Sequence, residues 1–137
     1  MRMKNLCLVI VGIFAIGCGN AQDLQSQIAH RWMLSSLDNA GKQINVAMSE
    51  HTAYVDFDAN RGLNGNAGCN GFFGDYTLKN NKLHFVGVGM TRMLCAPESM
   101  AVEDTLVQLF ADGTSDVLIQ SNQLIITRGS IKAIFHR

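Results

Sequence analysis

The run TAYVDFD at residues 52–58 alternates without a break: Ala53, Val55 and Phe57 point one way, Tyr54, Asp56 and Asp58 the other. A two-residue period is the mark of a strand with one face buried and the other in water. Similar short runs recur along the chain. Residues 30–37 (HRWMLSSL) read as a first strand with Trp32 and Leu34 on one face, followed by the turn cluster Asp38-Asn39-Ala40-Gly41. Residues 43–48 read as a second short strand. Residues 72–78 and 83–88 form a hairpin about Lys79-Asn80-Asn81-Lys82, with Leu83 and Phe85 on one face. The tail supplies three more strands, 116–120, 123–128 and 131–136, joined at Ser121-Asn122 and Gly129-Ser130.

One segment changes period. Over residues 97–111, Val102, Leu106, Leu109 and Phe110 follow helical spacing on one face, with Glu103, Asp104 and Gln108 on the other. Pro97 suits the first turn, Glu98 suits the positive end of the helix dipole, and Gly113 stands where the helix stops. The pattern predicts a mainly β fold with one α-helix. It is a curled antiparallel sheet or small, partly open β-barrel with the helix packed across it.

The N-terminus lies outside this pattern. Arg2 and Lys4 precede an uncharged apolar run from Leu6 to Ile16. That run is too short for a membrane span of roughly 20 residues and reads as a secretory signal. Ala15-Ile16-Gly17-Cys18 resembles a bacterial lipobox. In a lipobox the cysteine is lipidated and the chain is cut before it. Acyl chains there hold a protein firmly, at about 0.8 kcal/mol per buried CH₂. The rival cut follows Ala21, after the small-x-small pattern Gly19-Asn20-Ala21, and leaves a soluble periplasmic or secreted protein. Gly19 is not an aspartate, which favours the outer membrane, facing the periplasm. The expected organisation is a signal over residues 1–17, a lipidated polar tether over 18–27 and one domain over 28–137. A chain of 137 residues, with 47% hydrophobic residues and formal charge +0, suits one globular domain. No basic run calls for nucleic acid. The expected partners are the membrane, through the anchor, and an envelope or secretion protein. The chain is read as a monomer.

Residues 62–76 (GLNGNAGCNGFFGDY) place a glycine at every third position from Gly62 to Gly74. A phosphate loop would need a Gly-Lys-Ser/Thr sequence and a following helix, and neither is present. A nucleophilic Cys69 would need a base, and His30, His51, His84 and His136 are scattered. No paired spacing of Cys or His points to a metal, and no cofactor is expected. The remaining reading is structural: Asn64-Gly65 as a turn pair and the other glycines as bends, forming a tight corner. Cys69 and Cys95 are the two cysteines beyond the signal region. In an exported chain they are a disulfide candidate, whose loop of about 27 residues would contribute roughly 3–4 kcal/mol. Two buried free thiols are the alternative.

Gly68-Cys69-Asn70, Gly74-x-Tyr76, Leu83, Met90-Thr91-x-Met93-x-Cys95 and a helix carrying Glu103 and Leu106 together resemble the META domain, the HslJ-type family of bacterial envelope proteins. The likeness runs from about residue 28 to 137 and includes the opening Trp32. It implies a small antiparallel barrel with one helix, similar in shape to lipocalin-like barrels and secretion pilotins. It also implies an envelope location, often as a lipoprotein, and a link to heat shock and novobiocin resistance. No enzymatic activity is established for the family, so the resemblance supplies no catalytic residues. It implies structural roles for Gly68, Asn70, Gly74, Tyr76, Thr91 and Met93, and a bridge between Cys69 and Cys95. The alternative function is a pilotin-like module whose barrel holds an acyl chain or a partner's segment. Its apolar side chains either line a cavity or fill it.

Overall fold

The computed structural model describes residues 21–137. The signal segment, the lipobox and Cys18 lie outside the described residues. The chain runs α1 (Ala21–Ile28), β1 (Arg31–Asn39), β2 (Lys42–Ile44), β3 (Tyr54–Phe57), β4 (Gly62–Asn66), β5 (Gly71–Lys79), β6 (Lys82–Met90), α2 (Pro97–Phe110), β7 (Gly113–Gln120), β8 (Gln123–Arg128) and β9 (Ile131–His136).

Neighbours in the sheet follow the order β2-β1-β3-β4-β5-β6-β7-β8-β9, all antiparallel, and β1 also pairs with β9. That last ladder, from Met33↔His136 to Asn39↔Ile131, closes an eight-stranded barrel. Both β2 and β3 lie on the other edge of β1, β3 against Arg31 to Met33 and β2 against Leu37 to Asn39. So β2 is a short flap outside the closed ring. Alternating direction puts the starts of β1 and β7 at opposite ends, so α1 and α2 sit at opposite mouths.

The alternation in the sequence becomes the inside and outside of the barrel. Trp32, Val55, Tyr76, Phe85, Leu124 and Phe135 point inward and are essentially inaccessible to water. Phe110 of α2 enters this core, stacked on Phe72 at 4.8 Å and edge-on to Phe85 at 5.3 Å. Side chains fill the barrel centre, as expected for a ring of this size.

Four local readings change. Residues 21–27 of the expected tether form a helix together with Ile28, the first residue of the expected domain. Ile28 is fully buried, and Gln25 Nε2 donates to the Tyr76 hydroxyl at 2.7 Å. The expected second strand over 43–48 stops at Ile44, because the Asn45 side chain accepts from Ala47 N and starts a 3-10 turn over Val46–Met48. Asn64-Gly65 is not a turn but the middle of β4. A Cβ on Gly65 would lie 2.2 Å from Tyr54 O and 2.6 Å from the Phe72 ring, so this glycine makes room for an aromatic ring inside the barrel. The corner lies further on, at Gly68. Finally, Glu103 is buried and not on the wet face of the helix.

Candidate functional site

The corner between β4 and β5 is built by Asn66 and Gly68. Asn66 Oδ1 accepts from Gly68 N at 2.8 Å, and Gly68 takes φ +102 with its α-carbon facing Val102 of α2. A side chain at Gly68 would be strained by that φ and pressed to 3.2 Å from Val102. The turn delivers Cys69 and Asn70, both buried, against the helix.

Asn70 is the hub of a buried hydrogen-bond network. Its Nδ2 donates to Glu103 Oε1 at 2.8 Å and to Met93 O at 3.0 Å. Its backbone N donates to Glu103 Oε2 at 2.8 Å. Its Oδ1 accepts from Met93 N at 2.5 Å and from Thr91 Oγ1 at 3.0 Å. Thr91 Oγ1 in turn accepts from Gly71 N at 3.2 Å. A buried carboxylate is costly unless hydrogen-bonded, and here the corner supplies its donors. The Cys69–Cys95 disulfide, with Cα atoms 5.9 Å apart, ties the same corner to residue 95. Together these bonds pin residues 91–96, which have no regular structure, between β6 and α2.

The residues singled out in the sequence therefore divide. Gly68, Cys69, Asn70, Thr91 and Cys95 come together, and Met93 joins through its main chain while its side chain stays 55% exposed. Gly74 acts further along β5, facing β6, where an added Cβ would lie 3.0 Å from Val88 Cα. Tyr76 belongs to the opposite mouth. Its hydroxyl accepts from Gln25 and donates to Asp58 O at 2.8 Å, and burial raises its pKa. Sequence reasoning placed one residue on the wrong face and missed another. Glu103 stands three before Leu106 and seven before Phe110, which is the spacing of the buried stripe itself. Arg128 Nη1 donates to Gln108 O at 3.2 Å and to Ala111 O at 2.8 Å, closing the end of a helix whose last turn holds no basic residue. No local signal connects residue 128 to that helix end.

A groove opens beside the pinned segment. The β6–β7 ladder ends at Phe85↔Gly113, and Gly87 at φ +64 marks a register shift that bends the last residues of β6 away. Two adjoining hollows of about 270 Å³ each lie between that end and α2, sharing Met90, Arg92 and Val107. Phe72, Leu106 and Phe110 floor the first. Asn70 and Glu103 lie at the base of the second. Leu94 on the pinned segment is 90% exposed.

Chemically this arrangement suits binding. Cys69 has no free thiol, so it is not a nucleophile. Among the described residues no three of His, Cys, Asp or Glu converge to hold a metal, and no helix is long and apolar enough to cross a membrane.

Comparison with known proteins agrees with the motif. The META domain family matches residues 22–135. The chain is 31% identical over 98 residues to heat shock protein HslJ of Escherichia coli K12, covering 71% of this chain and 66% of that protein, just under two thirds of its length. An NMR structure of a protein from Burkholderia xenovorans superposes with TM-score 0.68 at 22% identity, covering 100% of this chain and 97% of that one. A crystal structure of a DUF4847 family protein from Bacteroides vulgatus gives 0.54 at 10% identity, covering 80% and 92%, a likeness of fold alone. With the family matched over nearly all the described residues, the chain belongs to the META domain family.

Proposed function

We propose that this protein is an exported envelope lipoprotein, anchored through Cys18, that supports tolerance of envelope stress by binding and not by covalent chemistry. The observation that carries the reading is the Cys69–Cys95 disulfide beside the Asn70–Glu103 network. A bridge of this kind forms and persists in an oxidising compartment. The relative named as a heat shock protein supports the stress role. The META family is not known for an enzymatic activity, and the bonded state of Cys69 agrees with that.

The test is a host strain lacking the gene, challenged with heat and with novobiocin. It is complemented by the wild-type protein or by Cys18→Ala. The expected result is reduced survival, restored by the wild type and restored less well by the unlipidated variant. A deletion strain that tolerates both challenges like its parent, or a protein that fractionates with the cytoplasm, would overturn the proposal.

A further inference from the structure

The seam between β6 and α2 has an edge to offer as well as a hollow. Beyond Phe85, β6 pairs only with β5. Thr91 N turns back to β5, donating to Gly71 O at 3.0 Å, whereas Val88 N points the other way and donates to Asp112 Oδ1 at 3.1 Å. Alternation along a strand then directs the N–H and C=O of Met90 to the groove side. Asp112 thus stands where the carbonyl of a further strand would stand. Native proteins usually blunt a free edge with lysine, proline or a covering element. Here the groove beside the edge is apolar, with Val107 and Phe110 on the helix side.

We propose that this groove binds an extended peptide segment of a partner protein. The segment adds a strand to the end of β6, sets an apolar side chain over Phe72 and Phe110, and places an acidic residue on Arg92. The charge choice rests on Arg92, which is exposed and lines both hollows; of the acids that line them, Asp112 already accepts from Val88 N and Glu103 from Asn70, and Asp104 is exposed at the rim. Among the described residues the ion pairs are Arg31–Asp56 and Lys82–Asp116, so Arg92 has no carboxylate partner. Strand addition draws affinity from main-chain bonds and selectivity from pockets for alternate side chains. The flexible side chains of Met90 and Met100 suit a wall that adapts to its occupant. An apolar chain with an acidic head would use the hollow and Arg92 but leave the edge of β6 unused. The proposal does not depend on where the protein resides.

The experiment uses the oxidised, folded protein and a displayed library of random nonapeptides with flexible flanks. Enriched sequences are synthesised, titrated by NMR, and repeated with single N-methylated amides. The expected peptides carry an acidic residue near an apolar one and shift the amides of residues 88–92 and the outer face of α2. N-methylation at alternate positions abolishes binding, and Arg92→Glu weakens it by at least about tenfold. Val107→Asp, a second surface change, weakens it too, and both variants keep the wild-type unfolding midpoint. Failure to enrich any sequence, or enrichment indifferent to Arg92→Glu and Val107→Asp, overturns the proposal. Decanoate shifting the same amides where peptides do not would give the groove to an amphiphile and overturn it equally.

Discussion

Replacing Asn70 by alanine tests the pinned corner most sharply. The change removes the side-chain donor to Glu103, a charge-assisted bond that contributes roughly 1.5–3 kcal/mol. It also removes the bonds to Met93 O, Met93 N and Thr91 Oγ1, each contributing about 0.5–1.5 kcal/mol when fully formed. Thr91 and Met93 are exposed, so water recovers part of those. Glu103 keeps only the backbone N–H of residue 70 and stays buried with one donor lost. The expected loss is about 3–4 kcal/mol, a large fraction of a total near 5–15 kcal/mol. In urea it moves the midpoint down by roughly 2 M at an ordinary slope. The isosteric Asn70→Asp loses at least as much, because a second carboxylate then faces Glu103. Combined with Glu103→Gln, Asn70→Ala costs less than the sum of the single changes, with a coupling of about 0.5–3 kcal/mol. A loss below about 1 kcal/mol for Asn70→Ala, or strict additivity with Glu103→Gln, would refute the reasoning.

Other parts of the structure carry further expectations. Cys69→Ser with Cys95→Ser lowers stability by about 3.5 kcal/mol on the chain-entropy estimate for a separation of 26 residues, read by denaturant melts against the oxidised wild type. Gly65→Ala is destabilising by at least about 1–3 kcal/mol through overpacking onto the Tyr54 carbonyl and the Phe72 ring, while Gly62→Ala, whose nearest neighbour is 3.7 Å away, is nearly neutral; thermal midpoints of the pair decide it. Arg128→Met uncovers the last carbonyls of α2 and costs about 1–2 kcal/mol, with faster hydrogen exchange at Ala111, whose amide bonds back to Val107 O. Tyr76 has its pKa raised above 10.0, first by burial, with Gln25 opposing and Asp58 adding to it. The unfolded chain therefore loses that proton first. The stability Tyr76 contributes is complete below pH 10 and falls as pH rises through the folded value. Absorbance titration with a parallel stability curve checks this: Tyr76→Phe flattens the alkaline decline.

The strands were legible wherever alternation ran beside a turn signal. β8 and β9 fall where the pattern predicts, and Asn80 and Asn81 take the left-handed φ of 50° and 59° that a two-residue hairpin favours. The glycine stretch misled because Asn-Gly is a turn pair only when nothing across the sheet needs the space. Gly65 is dictated by the Tyr54 carbonyl and the Phe72 ring, contacts between strands that spacing alone does not encode. Closure of the barrel was equally illegible, since β1 meets β9 across almost the whole chain. Of the pinned corner, the cysteines and Asn70 were visible as a motif. Glu103 was quoted with that motif but placed on the wet face, because a charged residue on an amphipathic helix is assigned to water unless its buried donors are known.

We propose an exported chain whose corner is closed by a disulfide. The intact mass of protein extracted from the host membrane, alkylated without reduction, tests it directly. The expected product is a chain beginning at Cys18, heavier by its acyl groups and carrying no alkyl group. A chain with an uncut N-terminus and with Cys69 and Cys95 both alkylated would contradict it, and would reopen Cys69 as a free thiol.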